Sequence, residues 1–337
     1  MTLRELAKEA GVHFSTVSLA LRDHPRIPQS TRSRIKALAA QRGYLRNPLI
    51  GQMMAQRRRA RTVPVKESLA WLHLLPEPAP AEIVARADAN FLAAQNHATT
   101  LGYGMELVRV HDQQISMKRL KNILSTRSVR GIIIGAGLAN RAHLSLELSS
   151  FAPLCIGHTL LRPVLHRVSH DHQHGIRLAL HELRRRGYHR IGLWLRRRIE
   201  MRIDYQWSTG YLLYARMHPN LHLVEPCVVE QYEWDSFRAW LRQNQPEVIL
   251  SSDNEVLQML QAEGAKVDFL HLDSGTAHAP CAGIHQNNDE VGRAAVDWVV
   301  DLLEGQKFGI PTIPRVMLVE GTWHEGPTLR KPRAGSR

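Results

Sequence analysis

The chain has 337 residues, enough for a small accessory unit and about two domains of ordinary size. Its apolar stretches, such as residues 131–138, are strand-sized and too short to span a bilayer. Of the formal net charge of +13, residues 1–66 carry +11 (14 Lys and Arg against 3 Asp and Glu), which excludes a uniformly basic protein and points to a polyanion-binding head on a nearly neutral body.

Leu3, Leu6, Ala7 and Ala10 recur at helical spacing, and Gly11 is a natural helix stop. A tight turn, Gly11-Val12-His13, leads to a second short helix over residues 14–21, with Val17 and Leu21 facing the same core as Leu6. Two short helices joined by a Gly-containing turn form the helix-turn-helix pattern, whose second helix enters the major groove. That geometry places Phe14, Ser15 and Leu19 on the groove side, with the Thr16 and Ser18 hydroxyls free to meet phosphates or base edges. A third helix is expected over residues 28–42, closed by Gly43. Asn47-Pro48 then reads as a helix start. The segment it opens, residues 48–56, spans only about two turns and forms only when braced. The basic run Arg57-Arg58-Arg59-Ala60-Arg61 follows as a linker.

From residue 67 onward, apolar runs alternate with helical stretches. Strands are expected over residues 69–75, 105–110, 131–134, 153–157, near Val168, and over 190–195, 248–250 and 269–272. Helices are expected up to Thr100 and over residues 117–127, 175–186, 207–216, 255–263 and 289–304. Such alternation implies parallel sheets with helices on both faces, here two doubly wound lobes with a ligand crevice at strand C-termini. The fold class is therefore a small all-α helix-turn-helix head joined to an α/β core of two parallel-sheet lobes.

Other signals carry less. Cys155, Cys227 and Cys281 lie far apart without a C-x-x-C pair and read as reduced thiols, and residues 1–10 do not form an export signal, so a cytoplasmic protein is expected. The run His170-Asp171-His172-Gln173-His174 would need an extended strand to present three imidazoles on one face, and the helix expected just after it breaks that alternation, so no metal is expected. Gly135-Ala136-Gly137 has Asn140 where a dinucleotide fingerprint needs its third Gly. There is no G-x-S-x-G and no Walker A run, so no catalytic residue, cofactor or enzymatic activity is expected. Arg184–Arg186 and Arg196–Arg198 read as solvent-facing clusters.

The stretch from Leu3 to Val12, then Ser15-Thr16-Val17-Ser18, Thr31-Arg32 and Gly43-Tyr44 with Asn47, resembles the lactose-repressor/galactose-repressor family of bacterial transcription regulators. A weaker likeness runs through residues 67–330, at residues 181–192, at Pro246-Glu247-Val248-Ile249 with Asp253, at Leu272-Asp273 and at Ile284-His285-Gln286. The resemblance implies a periplasmic-binding-protein-like core and these divisions: a head over residues 1–46, a hinge helix and basic linker over 47–66, a core over 67–330 and a basic tail over 331–337. Within the core it implies one lobe from 67–160 and 287–312, and a second from 161–286 and 313–330, with the strand near residues 315–319 in the second. It also implies that Met53 wedges into the minor groove. Asp171, Asp253, Asp273 and Gln286 become candidates to hold an effector, often a sugar in this family. Where most members have an effector-binding Arg this chain has Trp207, for which Arg202 would substitute while the indole stacks on the ligand. The head also departs, with Leu19 where an Arg or polar residue is common, Arg46 in place of a Pro, and Ile50-Gly51 beyond it. The function implied is a homodimeric, sequence-specific repressor of transcription on palindromic DNA, set by a small carbohydrate effector. The alternative is a metabolic enzyme or a solute-binding protein carrying an accessory DNA-binding head.

Overall fold

The computed structural model describes residues 3–21, 26–42, 67–75, 79, 81–110, 116–137, 142–275 and 281–331. The expected hinge helix and linker, with Asn47 and Met53, lie outside the described residues.

The head contains α1 (Leu3–Ala10), α2 (Phe14–Ala20) and α3 (Gln29–Gln41). Gly11, at φ +66°, supplies the left-handed turn between the first two. The His13 carbonyl then accepts from Thr16 N at 2.9 Å and starts α2. Leu6, Ala7, Ala10, Val17, Ala20, Ile35 and Ala39 form one buried cluster. Burying a side chain the size of Leu6 contributes roughly 1.5–3 kcal/mol, so this small core sets the angle of α2 more than the exposed Arg42–Glu9 ion pair does.

In the first lobe, β1 (Ser68–His73), α4 (Ala81–Thr100), β2 (Gly104–Arg109), α5 (Met117–Thr126), β3 (Val129–Ile134), β5 (Ala152–Ile156) and β7 (His166–Asp171) alternate as the apolar runs foretell. The short β4 (Ala142–His143) and β6 (Leu160–Arg162) pair with each other apart from the main sheet. The second lobe follows with α6 (His172–Arg185), β8 (Arg190–Arg196), α7 (Arg197–Arg202), α8 (Gln206–Met217), β9 (His222–Leu223), β10 (Cys227–Val229) and α9 (Trp234–Asn244). It continues with β11 (Val248–Ser251), α10 (Asn254–Ala262), β12 (Asp268–His271) and β13 (Gly283–His285). The chain ends with α11 (Asn288–Glu304), β14 (Val316–Glu320) and β15 (Thr322–His324).

Among the described residues, the first sheet has the order β14-β7-β5-β3-β1-β2, and the second β10-β8-β11-β12-β13-β15 with β9 also on β8. All pairs are parallel except β13 with β15. Each sheet has an apolar layer on both faces, which accounts for strands such as β1 reading as nearly continuous apolar runs. Helix α11 returns from the second lobe to pack on α4. Gly292 permits that crossing, since a Cβ there would stand 2.2 Å from the Asn90 carbonyl oxygen.

Three crossings join the lobes. The first, at Asp171–His172, lies about ten residues later than expected, because β7 pairs with both β5 and β14 inside the first sheet. The second, at Gln286–Asn287, precedes α11. The third is at Gly321, and it corrects the expected place of the strand near residues 315–319, since Val316–Glu320 runs parallel to β7 in the first lobe and only Thr322–His324 enters the second. Asn287, at φ +52°, donates from Nδ2 to the Glu320 carbonyl at 2.8 Å, so the second and third crossings are tied together. Helix α6 starts at His172, three residues before expectation, because the Asp171 carboxylate accepts from His174 N at 2.8 Å and caps it.

The basic clusters are solvent-facing only in part: Arg184, Arg185 and Arg197 are exposed as expected, whereas Arg186 is buried and Arg196 and Arg198 are half-buried. Arg186 is 2% exposed, donates to the Arg330 carbonyl at 3.0 Å and pairs with Glu325 at 2.5 Å. Arg196 pairs with Asp253 and Glu255, and Arg197 with Glu230. These guanidiniums pin the C-terminal segment and the β8–α7 junction, roles that sequence composition does not distinguish from surface charge.

Candidate functional site

Two regions can carry function. The first is the outer face of α2. Val17 and Ala20 turn inward to the head core, while Thr16 and Leu19 are half-exposed on the other side. Phe14, Ser15 and Ser18 stand on the same helix, and their side chains lie outside the described residues. A half-exposed Leu offers an apolar surface suited to a thymine methyl, and a Thr hydroxyl either donates or accepts.

The second is a cavity between the lobes, where the C-terminal ends of the first sheet's strands face the second lobe. It encloses about 830 Å³ of empty space, open mouth included. From the first lobe it is lined by Trp71, by Arg86 and Asn90 of α4, and by the loops Gly135-Ala136 after β3 and Gly157-His158-Thr159 after β5. From the second lobe it is lined by Ile199 and Arg202 of α7, Trp207 of α8 and Asp273. Residues at the crossings, among them His170, His172, Gln286 and Asn288, form its floor.

Four of the six expected effector residues meet here: Arg202, Trp207, Asp273 and Gln286. Asp273, 5% exposed, pairs through Oδ2 with Arg86 Nε at 2.8 Å, across the crevice. Arg202 donates to the Gly137 carbonyl of the opposite lobe. Gln206 Nε2 lies 3.1 Å from His158 Nε2, a third cross-lobe contact. Gln286 donates from Nε2 to the Leu272 carbonyl at 2.6 Å, leaving Oε1 without a partner. Trp207, 1% exposed, meets His172 edge-on at a centroid distance of 5.2 Å, so its ring packs in the wall and its indole N–H is the group left for a ligand.

The other two stand elsewhere. Asp171 is the cap of α6 at the first crossing. Asp253 accepts from the Tyr232 hydroxyl at 2.7 Å and faces Arg196 at 3.4 Å, beyond the end of β11 and outside the cavity lining. Each already has a local structural partner.

Burial shapes the electrostatics. His170 is pushed down to about 4, first by desolvation, with Asp273 opposing and Arg86 adding to the shift. Burial also drives His172 well below its ordinary value, and neighbouring His170 and His158 add to the effect. His158 is lowered by burial and by Arg167. These three imidazoles are neutral at pH 7. Arg202 is lowered to about 10 by burial and then by the Arg86 and Arg198 charges, and it remains a cation. Among the described residues no cluster of His, Cys, Asp or Glu has the arrangement of a metal site, and no helix is long and apolar enough to cross a membrane.

Arg86, Asn90, His158 and Asn288 were not singled out from sequence. Glycines just past β3 and β5 were the available signal, since loops at strand C-termini line crevices in doubly wound folds. Nothing local marks Arg86, which sits mid-helix in α4.

Residues 2–47 match the family model described as "Bacterial regulatory proteins, lacI family". Among solved structures, the chain is similar to the complex of the transcriptional regulator CelR with cellobiose, at 17% identity over 97% of this chain and 99% of that one, TM-score 0.55. It is similar to the Lac repressor dimer bound to operator and the anti-inducer ONPF, at 17% identity over 97% and 98%, TM-score 0.53. A regulatory protein of the LacI family from Chloroflexus aggregans matches at 14% identity over 76% and 96%, TM-score 0.56. At these identities the likeness shows the fold. No curated protein matches the chain in sequence.

Proposed function

We propose that this chain, whose N-terminal head belongs to the lacI family of bacterial regulatory proteins, is a cytoplasmic, homodimeric transcriptional repressor whose hold on DNA is set by a small molecule in the inter-lobe cavity. The observation that carries this is one chain joining a helix-turn-helix head to a cavity whose polar walls come from two lobes linked by three crossings. A site built from two bodies binds a ligand best at one relative placement of them. The ligand therefore selects that placement.

One head reads a half-site, so sequence-specific binding calls for a pair of heads on a palindromic duplex. Phe14, Ser15, Thr16, Ser18 and Leu19 are assigned to the major groove, Asn47 to the start of the hinge helix and Met53 to a minor-groove wedge. A change in lobe placement alters the spacing of the two hinge segments and so the free energy of docking both heads at once. Arg202, Trp207, Asp273 and Gln286 are assigned to the ligand. Asp171 is assigned to the hinge between the lobes and Asp253 to bracing Arg196. Solved relatives with cellobiose or ONPF bound favour a hydroxylated, carbohydrate-like ligand.

The test is selection of duplexes from a random pool by the full-length protein, followed by gel shifts on the enriched sequence at several salt concentrations. A palindromic consensus bound by a dimer, with steep salt dependence, is expected. Enrichment of no sequence by a folded protein would reject the function.

A further inference from the structure

The charge of the cavity is at odds with a neutral sugar. Its described lining holds three formally charged side chains, Arg86, Arg202 and Asp273, so a single carboxylate stands against two guanidiniums. The nearby imidazoles are kept neutral by burial and neither add to this excess nor relieve it. Both guanidiniums reach across the crevice, Arg86 from the first lobe to Asp273 and Arg202 from the second lobe to the Gly137 carbonyl. The Arg86 charge lies close enough to add to the lowering of Arg202.

The same walls leave several buried polar atoms without hydrogen-bond partners. Among them are two donors, the indole N–H groups of Trp71 and Trp207, and the acceptors Asp273 Oδ1, Gln286 Oε1, Asn90 Oδ1 and Asn288 Oδ1. Hydroxyls satisfy both kinds, because each donates once and accepts twice. A buried polar atom left unsatisfied is costly, so a ligand that reaches these atoms recovers that cost.

The geometry points to a polyhydroxylated acid as the ligand, its carboxylate or phosphoryl group held by Arg86 and Arg202 and its hydroxyls by Asp273, Gln286 and the two indoles. This rests on the cavity being the effector site, as proposed above. Planar guanidiniums suit such a group because each offers paired donors to two oxygens. An acid group entering between them competes with Asp273 for Arg86 and with the Gly137 carbonyl for Arg202. The ligand thus exchanges two protein–protein ties across the crevice for two protein–ligand ties, and lobe placement changes as a consequence of binding itself.

Thermal unfolding of the full-length protein with matched pairs tests this: D-glucose against D-glucose 6-phosphate, and D-glucitol against D-gluconate, with inorganic phosphate as the bare anion. The expected result is a rise in Tm of roughly 5–10 °C at 100 times Kd for a charged member, with little from its neutral mate. R202Q should weaken that binding at least tenfold and R202K by much less, with the unliganded Tm of both variants serving as the check on folding. Neutral members that stabilise as well as charged ones, with R202Q indifferent, would overturn the acid-group assignment while leaving the cavity as a sensor site. If no probe shifts the Tm or the affinity for the selected duplex, the acid assignment and the effector site fall together.

Discussion

Replacing Asp273 by Asn tests whether the lobes are held by charge across the crevice. The carboxylate is almost wholly buried, the Arg86 guanidinium is about three-quarters buried, and the two meet at 2.8 Å. Unit charges about 4 Å apart attract by about 4 kcal/mol at an effective dielectric of 20, and desolvation of the carboxylate offsets part of this. The amide keeps the volume of the side chain but leaves Arg86 facing Arg202 with no counter-charge in the cavity lining. A net loss of about 2 kcal/mol for the closed placement is expected, roughly a thirtyfold shift toward open forms. Urea unfolding should report the loss in stability, and small-angle X-ray scattering a larger radius of gyration. D297N is the control, because Asp297 meets His97 at the surface and is mostly exposed, so less than about 0.5 kcal/mol should change. If D273N matches the wild type in both measurements, the crevice is not closed by this pair and the exchange mechanism fails with it.

In the head, L19A and T16A should each cost about 1–3 kcal/mol on the selected duplex and leave binding to random DNA and its salt slope unchanged, read by fluorescence anisotropy. G292A should destabilise the core by about 1–3 kcal/mol or more in chemical denaturation, since the added methyl would press on the Asn90 carbonyl backbone. D171A removes the cap of α6 and should cost about 1 kcal/mol of stability, with ligand affinity changed far less than by R202Q. His170 gives a pH signature: its folded pKa of about 4 lies below the ordinary 6.5, so the unfolded chain takes up a proton first as pH falls. Its contribution is intact above about pH 6.5 and is lost progressively toward pH 4, so stability should drop by about 2 kcal/mol between pH 7 and pH 5 from this residue. H170Q should flatten that part of the profile in urea titrations at the two pH values.

Much of this architecture is written in local pattern. The head core could be named because Leu6 and Ala10 fall on one face of α1 and Val17 on the inward face of α2, and β1, β3 and β11 because buried parallel strands need apolar residues on both sides. The crossings were harder. Whether Val316–Glu320 joins the first sheet or the second depends on a partner strand about 150 residues earlier, and an edge strand with exposed Val316, Met317 and Leu318 carries no burial pattern to decide it. The cavity was half legible. Asp273 and Gln286 stand at strand ends where a crevice is expected, whereas Asp171 and Asp253 occupy equivalent positions and are taken up by a helix cap and by Tyr232. An Asp at a strand end serves either purpose, and only the third dimension separates them. Helices α7 and α9 were missed because a basic run and an aromatic-rich segment mask their periodicity.

The threading of the core has a consequence for how it is made. The first lobe is built from residues up to Asp171 together with α11 and β14, so a chain emerging from the ribosome holds an incomplete first sheet until Glu320 has been synthesised. Through that interval β7 lacks its outer neighbour and α4 its packing partner, while the second lobe has nearly all its parts. The second sheet in turn waits for β15, so neither lobe is complete before the third crossing has been made, and cleavage anywhere between the first and second crossings would strand one lobe's missing pieces on a separate fragment.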